Sequence, residues 1–235
     1  MTALVKACLN GNHRPGAHPA LPITPEQLAA AGAAAVAAGA QALHIHPRGA
    51  DGLESLTAVD EAVRAVKAAV PGVPVGVSTG AWIEPDVGAR AAAVRAWREP
   101  DFASVNLSEE GHVEVMAACV EAGVGIEAGL WRVEDVAALA ASGYADRLLR
   151  ALIEPREPDV AAALATAEAI NAALDDAGIA APRVQHGFGA ATWEVVRRAK
   201  ELGLGWRIGL EDVLELPDGS QAESNAHLVT VALDR

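Results

Sequence analysis

The chain has 235 residues, enough for one large α/β domain to bury its core without cross-links. Hydrophobic residues make up 51% of it but aromatic residues only 3%, so the core must be built from Ala, Val, Leu and Ile. The formal net charge of −13 opposes binding to nucleic acid or to anionic membranes.

Cysteine usage and hydropathy indicate the compartment in which the protein works. Cys8 and Cys119 stand in no CxxC or zinc-finger spacing, so disulfide cross-links are not expected. No cationic leader precedes an apolar stretch, and the longest apolar run, around 29–40, contains two glycines and is too short to span a bilayer. We therefore expect a soluble, cytoplasmic protein with no membrane partner.

Strand-like apolar runs alternate with longer helical patterns along the chain. In chain order, strands are predicted over 4–9, 42–46, 73–78, 102–107, 125–128, 148–153, 183–186 and 205–208. Helices are predicted over 24–38, 57–69, 84–97, 110–122, 133–141, 159–177, 190–202 and 222–233. Each predicted strand is therefore followed by a predicted helix.

Local end signals support several of these helices. Thr24 before Pro25 is typical of an N-cap with proline in the first turn, and Thr57 stands shortly before two acidic residues. Glycines follow four of the helices, where a left-handed C-cap residue is needed. These glycines are Gly39, Gly123, Gly178 and Gly203.

Strand and helix pairs without a break in composition predict a TIM (β/α)8 barrel, as a single domain over 1–235. The alternative is an open, doubly wound sheet, in which a ligand would bind at a topological switch point. In a barrel the carboxyl ends of all strands meet at one mouth. Polar residues at strand ends are therefore the candidate site.

Two histidines close the second predicted strand. Side chains two apart on a strand point the same way, so His44 and His46 should share the face that leads to the mouth. A lone histidine there is usually structural, but two at this spacing, followed by Arg48, favour a metal pair. Imidazole nitrogens suit Zn²⁺, Fe²⁺, Ni²⁺ or Cu²⁺ better than Mg²⁺, and with no redox partner in view we predict Zn²⁺.

Two acids follow the eighth predicted strand, which itself carries Arg207. Taken alone, Glu211 and Asp212 after a glycine are typical of a helix start or a solvated turn. Beside a histidine pair, one carboxylate would complete a three-ligand zinc site that keeps open positions for substrate. We predict Glu211 as the third ligand and Asp212 as the general base.

The segments that carry these residues resemble those of the β-keto acid cleavage enzymes. The matching segments are HxHxR from His44 to Arg48, Ser78-Thr79-Gly80, Ser104-Val105-Asn106 and RxGLED from Arg207 to Asp212. The opening Asn10-Gly11, the segment 18–26 and Ser224-Asn225-Ala226 are similar too. The resemblance therefore spans nearly the whole chain.

This resemblance implies a TIM barrel with Zn²⁺ held by His44, His46 and Glu211. It implies the condensation of a β-keto acid with acetyl-CoA, which releases acetoacetate and a new acyl-CoA. Asp212 would remove the proton between the keto and carboxylate groups, with Arg207 orienting the base or the oxyanion. Members of the family form homo-oligomers, so a homo-oligomer is expected here.

Further site residues are expected from the matching segments. Ser78 and Thr79 would be hydroxyl donors at the mouth, with Gly80 allowing close backbone approach, although the triplet is equally typical of a turn or N-cap. Asn106 would bind a substrate oxygen or satisfy loop backbone. Asn10 is expected to contact the substrate.

Two charged residues complete the predicted set. Arg48 is expected to bind substrate. Glu127 ends the fifth predicted strand and resembles a family acid near the motif arginine, so we predict that it pairs with Arg207 and serves catalysis. Because a buried glutamate needs some cation, a purely structural pairing is the alternative.

The chain departs from the family pattern in three places. It is shorter, mainly after strands six and seven, and segments 153–156 and 185–189 do not look like those that hold CoA in the family. His13 and Arg14 stand where the family often has an acid, which predicts a preference for an acidic substrate tail. Glu154 and His186 also end strands and would either narrow the site or pair with each other.

These departures keep two other functions open. A CoA-independent, metal-dependent retro-aldolase or hydrolase would use the same ligands without the missing CoA segments. A barrel that binds metal and carboxylates without turnover belongs to a different class. Trp82, Trp131 and Trp206 are more typical of core positions, and we assign them no role.

Overall fold

The structure, a computed structural model, describes residues 3–235. Its strands are β1 (Val5–Cys8), β2 (Ala42–Ile45), β3 (Val75–Ser78), β4 (Phe102–Asn106), β5 (Gly125–Leu130), β6 (Leu148–Ile153), β7 (Arg183–Gln185) and β8 (Gly205–Ile208). Its helices are α1 (Pro25–Ala37), α2 (Val59–Ala69), α3 (Val87–Ala96), α4 (His112–Ala122), α5 (Glu134–Ala141), α6 (Val160–Asp176), α7 (Thr192–Glu201) and α8 (Asn225–Asp234). Short 3-10 turns at Leu56–Ala58, Ala145–Arg147 and Gly189–Ala191 precede α2, β6 and α7.

The strands form one closed barrel in chain order. Every neighbouring pair is parallel, and β8 pairs with β1, with Lys6 opposite Arg207 in the register. The predicted TIM barrel is therefore confirmed, and the open sheet is excluded. Because the barrel is closed, the carboxyl ends of all its strands surround a single mouth.

Hydrogen bonds at the helix ends decide where each helix begins. Thr24 caps α1 as predicted, in a capping box with Gln27. Thr57 does not cap α2, because it lies within a 3-10 turn and α2 begins at Val59 without a side-chain cap. α3 begins later than predicted because the Asp86 carboxylate accepts a hydrogen bond from its first turn.

The helix C-termini follow the prediction. All four predicted glycines adopt positive φ, from +68° at Gly178 to +116° at Gly39. None of the helices within residues 3–235 is long and apolar enough to cross a lipid bilayer.

The main apolar core lies between the barrel and the helices. Along β2, Leu43 and Ile45 are buried and face this layer, while His44 points to the barrel interior. α1 packs Leu28 and Ala35 against the sheet from outside. This alternation follows from the two-residue repeat of a strand and directs the histidines inward.

A cluster of large side chains fills the barrel interior beneath the mouth. The Phe102 ring lies beside Gly76, where a Cβ would come within 2.1 Å of it. The Arg150 guanidinium lies 4.6 Å from the centre of that ring. Glu127 forms ion pairs with Lys6 and Arg150, and its Oε1 is 3.3 Å from Arg150 Nε.

The predicted pairing of Glu127 with Arg207 is therefore wrong. The strand register places Glu127 opposite Arg150 on β6, and Lys6 meets it inside the barrel. Arg207 instead contacts the acids that follow β8. Glu127 thus neutralises buried cations in the barrel floor, the structural alternative raised above.

Candidate active site

Three predicted ligands meet at the barrel mouth. His44 Nε2 and His46 Nε2 are 3.1 Å apart. Glu211 Oε2 lies 3.5 Å from His46 Nε2 and 3.9 Å from His44 Nε2. All three side chains are buried or nearly so, and they form a cluster that could hold a metal ion.

The donor set fits a zinc ion. Metal–ligand distances of about 2.0–2.2 Å in a tetrahedron place ligand atoms roughly 3.3 Å apart, close to the spacing of these three atoms. Glu211 Oε2 is buried and has no hydrogen-bond partner among residues 3–235. Two imidazoles and one carboxylate also leave a tetrahedral or larger coordination shell incomplete, so a substrate oxygen could bind.

Burial and carboxylates act differently on the two histidines. Burial lowers the pKa of His44 well below its usual range, which keeps this imidazole neutral. Burial opposes protonation of His46 too, but Glu211 and Glu54 outweigh it and raise its pKa to about 9. A metal at Nε2 would therefore displace a proton from His46.

The outer nitrogens of the two rings have different surroundings. His46 Nδ1 lies 3.1 Å from Glu54 Oε1, the carboxylate contact that commonly orients a ligating imidazole. His44 Nδ1 has no hydrogen-bond partner among residues 3–235. Glu54 therefore orients one of the two rings.

Asn10 holds the backbone of the second histidine. Its Nδ2 donates to the His46 carbonyl at 2.9 Å, and its Oδ1 accepts from the His46 N–H at 2.9 Å. The side chain is fully buried, and its contact with substrate stays a prediction. Both of its polar atoms are used to fix a metal-ligand candidate.

Close backbone approach positions Glu211. At Gly11, with φ +56°, a Cβ would lie 2.5 Å from Glu211 Cγ. At Gly209 a Cβ would lie 1.9 Å from the Cys8 carbonyl oxygen. Asn225 then ties β1 to the turn after β8, accepting from Leu210 N at 2.8 Å and donating to the Leu9 carbonyl at 2.9 Å.

Arg207 joins the two motif acids. Its Nη2 donates to Glu211 Oε1 at 2.7 Å and to Asp212 Oδ1 at 2.6 Å. Burial raises the pKa of Glu211, but Arg207 and the two histidines outweigh it and hold that pKa well below the usual range. Asp212 Oδ2 is buried and has no hydrogen-bond partner among the described residues, so this oxygen can accept a proton.

A further buried chain of polar groups lies behind Asp212. His186 Nδ1 is 3.3 Å from Asp212 Oδ1, and His186 Nε2 is 3.3 Å from Glu154 Oε2. The predicted alternative in which Glu154 and His186 pair is thus confirmed. Burial raises the pKa of Glu154, but Arg156, His186 and Arg207 outweigh it and lower that pKa to about 2.

A cavity of about 310 Å³ opens over this cluster. Its lining includes the buried His46 and Asp212, the nearly buried Glu211, and the more exposed Trp82 and Arg156. A narrow cleft continues from it down to His44 and Arg207. The candidate ligands and the candidate base therefore face one space.

The predicted serine, threonine and asparagine separate into two groups. Ser78 and Asn106 line the cleft beside His44, where their polar atoms can meet a ligand. Thr79 does not face it, because its hydroxyl donates to the Ser104 carbonyl at 2.7 Å. Gly80 does allow close approach, but of a side chain: a Cβ there would lie 2.3 Å from the Trp82 ring.

Arg48 serves the loop after β1. Its Nη2 donates to the carbonyls of Gly11 at 2.7 Å and His13 at 2.8 Å. The guanidinium is thus held by backbone, and the contact of Arg48 with substrate stays a prediction. His13 lines the cavity, whereas Arg14 is exposed outside it.

Four residues near the ligands were assigned no role from the sequence, and one of them, Trp82, is 47% exposed at the mouth rather than in the core. Trp82 donates to Glu54 Oε2 at 2.7 Å, and its ring stacks over His46 with the centroids 6.4 Å apart. Arg156 and Phe188 border the cavity from the loops after β6 and β7. All four follow strand ends, but the path by which a loop folds back over a mouth has no periodic pattern in sequence.

Comparison with known proteins identifies the group to which the chain belongs. The model of the β-keto acid cleavage enzyme family matches residues 2–234. The chain belongs to the β-keto acid cleavage enzyme family. The motif resemblance noted from sequence is therefore confirmed.

Solved structures share the fold of this family member at low sequence identity. The apo structure of ObcA is 20% identical, with a TM-score of 0.74, over 92% of this chain and 61% of ObcA. ObcA in a ternary complex with a C4-CoA adduct and oxalate is 21% identical, with a TM-score of 0.74, over 92% and 63%. The type I 3-dehydroquinate dehydratase of Clostridium difficile is 10% identical, with a TM-score of 0.66, over 99% and 91%.

The match to ObcA is partial in one respect. This chain spans about three fifths of the length of ObcA. At these identities the likeness establishes the barrel fold alone.

Proposed function

We propose that the chain is a zinc-dependent β-keto acid cleavage enzyme that condenses a β-keto acid with acetyl-CoA. The products are acetoacetate and a new acyl-CoA. One observation carries the proposal: His44, His46 and Glu211 converge beside an unpartnered Asp212 oxygen at the mouth of a barrel of this family.

The ligand set favours zinc over a hard cation. Imidazole nitrogens bind Zn²⁺ well, whereas Mg²⁺ prefers oxygen ligands and retained waters. Zinc bound by His44, His46 and Glu211 would supply a Lewis acid for the charge that develops on the keto oxygen. ObcA is known in complex with oxaloacetate, a keto acid, which supports a substrate of this class.

Asp212 is the proposed base. Its free Oδ2 takes the proton from the carbon between the keto and carboxylate groups. Arg207 holds the other oxygen at 2.6 Å and keeps the carboxylate oriented. Since the same Arg207 nitrogen holds Glu211, it also couples the position of the base to that of the metal ligand.

In the remaining steps one carbon–carbon bond forms, another breaks, and CoA moves from the acetyl group to the other acyl group. The enolate carbon attacks the carbonyl carbon of acetyl-CoA, forming a carbon–carbon bond and releasing the CoA thiolate. The thiolate then attacks the original keto carbon, and the bond to the former α carbon breaks. Asp212 returns its proton to that carbon, giving acetoacetate, while the other fragment leaves as acyl-CoA.

Ser78 and Asn106 are proposed to bind substrate oxygens. Both line the cleft beside His44, and both are buried, so their hydrogen bonds would form away from bulk water. Asn106 Nδ2 already donates to Glu109 Oε1 at 2.7 Å, which fixes its amide. Its remaining donor and its oxygen are available to a ligand.

Room for an extended second substrate lies next to the site. A cavity of about 480 Å³ adjoins the first and shares Gly189, Val213 and Leu214 with it. This continuity supports the use of a thioester. Against it stand segments 153–156 and 185–189, which do not look like those that hold CoA in the family and favour the CoA-independent retro-aldolase or hydrolase as the second candidate function.

The metal content of the protein tests the zinc site that both candidate functions require. Zinc per chain is measured by elemental mass spectrometry in wild type, His46→Ala and Glu211→Ala, with His227→Ala and Glu201→Ala as surface controls. We expect about one zinc per chain in wild type and controls, following the one three-ligand cluster found among residues 3–235, and loss in both site variants. Wild-type protein that takes up no zinc would refute the proposal.

Turnover then separates the candidates. β-Keto acids are offered with and without acetyl-CoA, and acetoacetate and acyl-CoA are followed by mass spectrometry. Products only with acetyl-CoA support the condensation, and cleavage without it supports the second candidate. Asp212→Asn should keep its zinc and lose roughly 10²–10⁴-fold in kcat. Unchanged kcat in that variant would remove Asp212 from the mechanism.

Assembly and cell location are also part of the proposal. We propose a homo-oligomer, as the family resemblance implies, and a cytoplasmic location, as the cysteine usage predicts. Light scattering coupled to size exclusion measures the mass in solution, and a mass of one 24.0 kDa chain would contradict the oligomer.

A further inference from the structure

Arg156 is held rigidly at the cavity that leads to the candidate metal centre. Its guanidinium lies 4.3 Å from the centre of the Trp131 ring and 4.3 Å from the centre of the Phe188 ring. Two aromatic neighbours hold the planar group in place through cation–π contacts. Little side-chain freedom is left to lose when a ligand binds.

The hydrogen-bonding capacity of this arginine is unused. Among residues 3–235 no acceptor forms a hydrogen bond with its guanidinium, and the nearest carboxylate oxygen, Glu154 Oε2, is 3.7 Å from Nη2. That carboxylate is already engaged, since Glu154 Oε1 accepts from Trp131 Nε1 at 2.7 Å. The side chain of Arg156 is 43% exposed, so its N–H groups are open to the cavity.

Two other arginines near the site already donate hydrogen bonds to protein acceptors. Arg207 is buried and its Nη2 is committed to Glu211 and Asp212. Arg48 is committed to backbone carbonyls. The chain has a net charge of −13, so few cations are available to a bound anion. Arg156, which lies between two aromatic rings and has no hydrogen-bond partner among residues 3–235, is therefore the cation that a second anionic group of a substrate would meet.

We propose that Arg156 binds a second carboxylate at the far end of the substrate, so that the enzyme acts on β-keto dicarboxylic acids. The inference rests on the proposed function, because it assumes that the keto acid end lies at His46 and Glu211. Arg156 lines the same cavity as both of these residues, so one short substrate can reach both ends. A planar guanidinium matches a carboxylate through two parallel hydrogen bonds.

The test compares acids that differ only in the terminal group. The substrates are 3-oxopentanedioate, 3-oxohexanedioate and 3-oxoheptanedioate, each paired with the 3-oxo monocarboxylate of the same chain length. The proteins are wild type, Arg156→Met, Arg156→Lys and the surface control Arg64→Met on α2. Methionine keeps an apolar side chain against the rings but has neither the charge nor the paired N–H donors of the guanidinium.

We expect wild type to prefer at least one dicarboxylate by roughly 10- to 150-fold in kcat/KM, the range for hydrogen bonds to a charged group. Arg156→Met should lose this preference while its kcat/KM for monocarboxylates changes by less than about threefold. Arg156→Lys should retain part of the preference, because it keeps the charge without the fork. Arg64→Met should behave as wild type.

Three results would overturn the inference while leaving the proposed function intact. The first is equal use of both substrate sets by wild type, and the second is a dicarboxylate preference that survives in Arg156→Met. The third is a KM for acetyl-CoA that rises in Arg156→Met with every keto acid, which would assign the arginine to a CoA phosphate.

Calorimetric titration with unreactive hexanedioate and hexanoate keeps the inference testable without turnover. Binding of hexanedioate by zinc-loaded wild type, lost in Arg156→Met, would support the carboxylate site even if no keto acid is cleaved. Equal binding of both acids, or of hexanedioate by both proteins, would refute it.

Discussion

Replacing Asn10 with alanine tests whether this residue positions a metal ligand. The change removes two hydrogen bonds of 2.9 Å and leaves the buried N–H and carbonyl of His46 without partners. Each unsatisfied group costs about 1–3 kcal/mol, so the free energy of unfolding should fall by roughly 2–5 kcal/mol. For a chain of this size the melting temperature should drop by about 5–15 °C.

The same change should weaken zinc binding. A carboxylate or amide that orients a metal-ligating residue through hydrogen bonds contributes about 10- to 100-fold in metal affinity. The assay is competitive zinc titration against a chelator, alongside calorimetric melting of the metal-free protein. Asn171→Ala is a matched control, because the Asn171 side chain likewise forms hydrogen bonds of 2.9 Å, donated by Nδ2 to the Ala167 carbonyl and to Gln185 Oε1, but it lies on α6 outside the barrel.

The outcomes separate positioning from substrate binding. Asn10→Ala should lose both stability and zinc affinity, whereas Asn171→Ala should lose stability alone. Wild-type zinc affinity in a destabilised Asn10→Ala protein would refute the positioning role. Unchanged stability and zinc affinity with a raised KM would instead restore the substrate contact expected from the sequence.

Three other changes test the interior of the barrel. Glu127→Gln leaves two buried cations without their counter-charge. The free energy of unfolding, measured by chemical denaturation, should fall by about 3–5 kcal/mol. A loss below about 1 kcal/mol would contradict the ion pairs. Gly209→Ala forces a Cβ to within 1.9 Å of a backbone oxygen. The free energy of unfolding should fall by more than about 3 kcal/mol, or the protein should fail to express in soluble form. A wild-type melting temperature would count against the close approach. The folded-state pKa of Glu154, about 2, lies below its ordinary value of 4.5, so this group stabilises the fold above about pH 4.5 and loses that contribution as the pH falls toward 2. Denaturation of Glu154→Gln between pH 6 and 3 should therefore show a weaker loss of stability on acidification than wild type, and parallel curves would refute the low pKa.

Much of the architecture was predictable because it rests on local patterns. Strand and helix periods, the Thr24 cap and the C-terminal glycines report on hydrogen bonds within a few residues. The pairing of His44 and His46 on one face follows from the two-residue repeat of a strand. The number and order of these elements then leave the closed barrel as the arrangement that covers every strand.

The roles of Asn10, Arg48 and Glu127 were not predictable in this way. Asn10 and Arg48 follow strand ends, and Glu127 stands near the end of its predicted strand, as a substrate-binding residue would. Whether the polar atoms of such a residue meet a ligand or another part of the protein depends on which chain segment lies within about 3 Å. That neighbour comes from another strand or loop, as His46 does for Asn10.

The order of strands and helices, the inward direction of the histidine pair and the acids after the last strand could all be read from the sequence. The hydrogen-bond partners at the mouth could not. Asp212 Oδ2 and the guanidinium of Arg156 have no hydrogen-bond partner among residues 3–235, although Arg156 lies 3.7 Å from Glu154 Oε2, while Arg48 is engaged with the loop that it holds. The reason is physical: side-chain direction follows from local backbone geometry, but hydrogen-bond satisfaction depends on segments that only folding brings together.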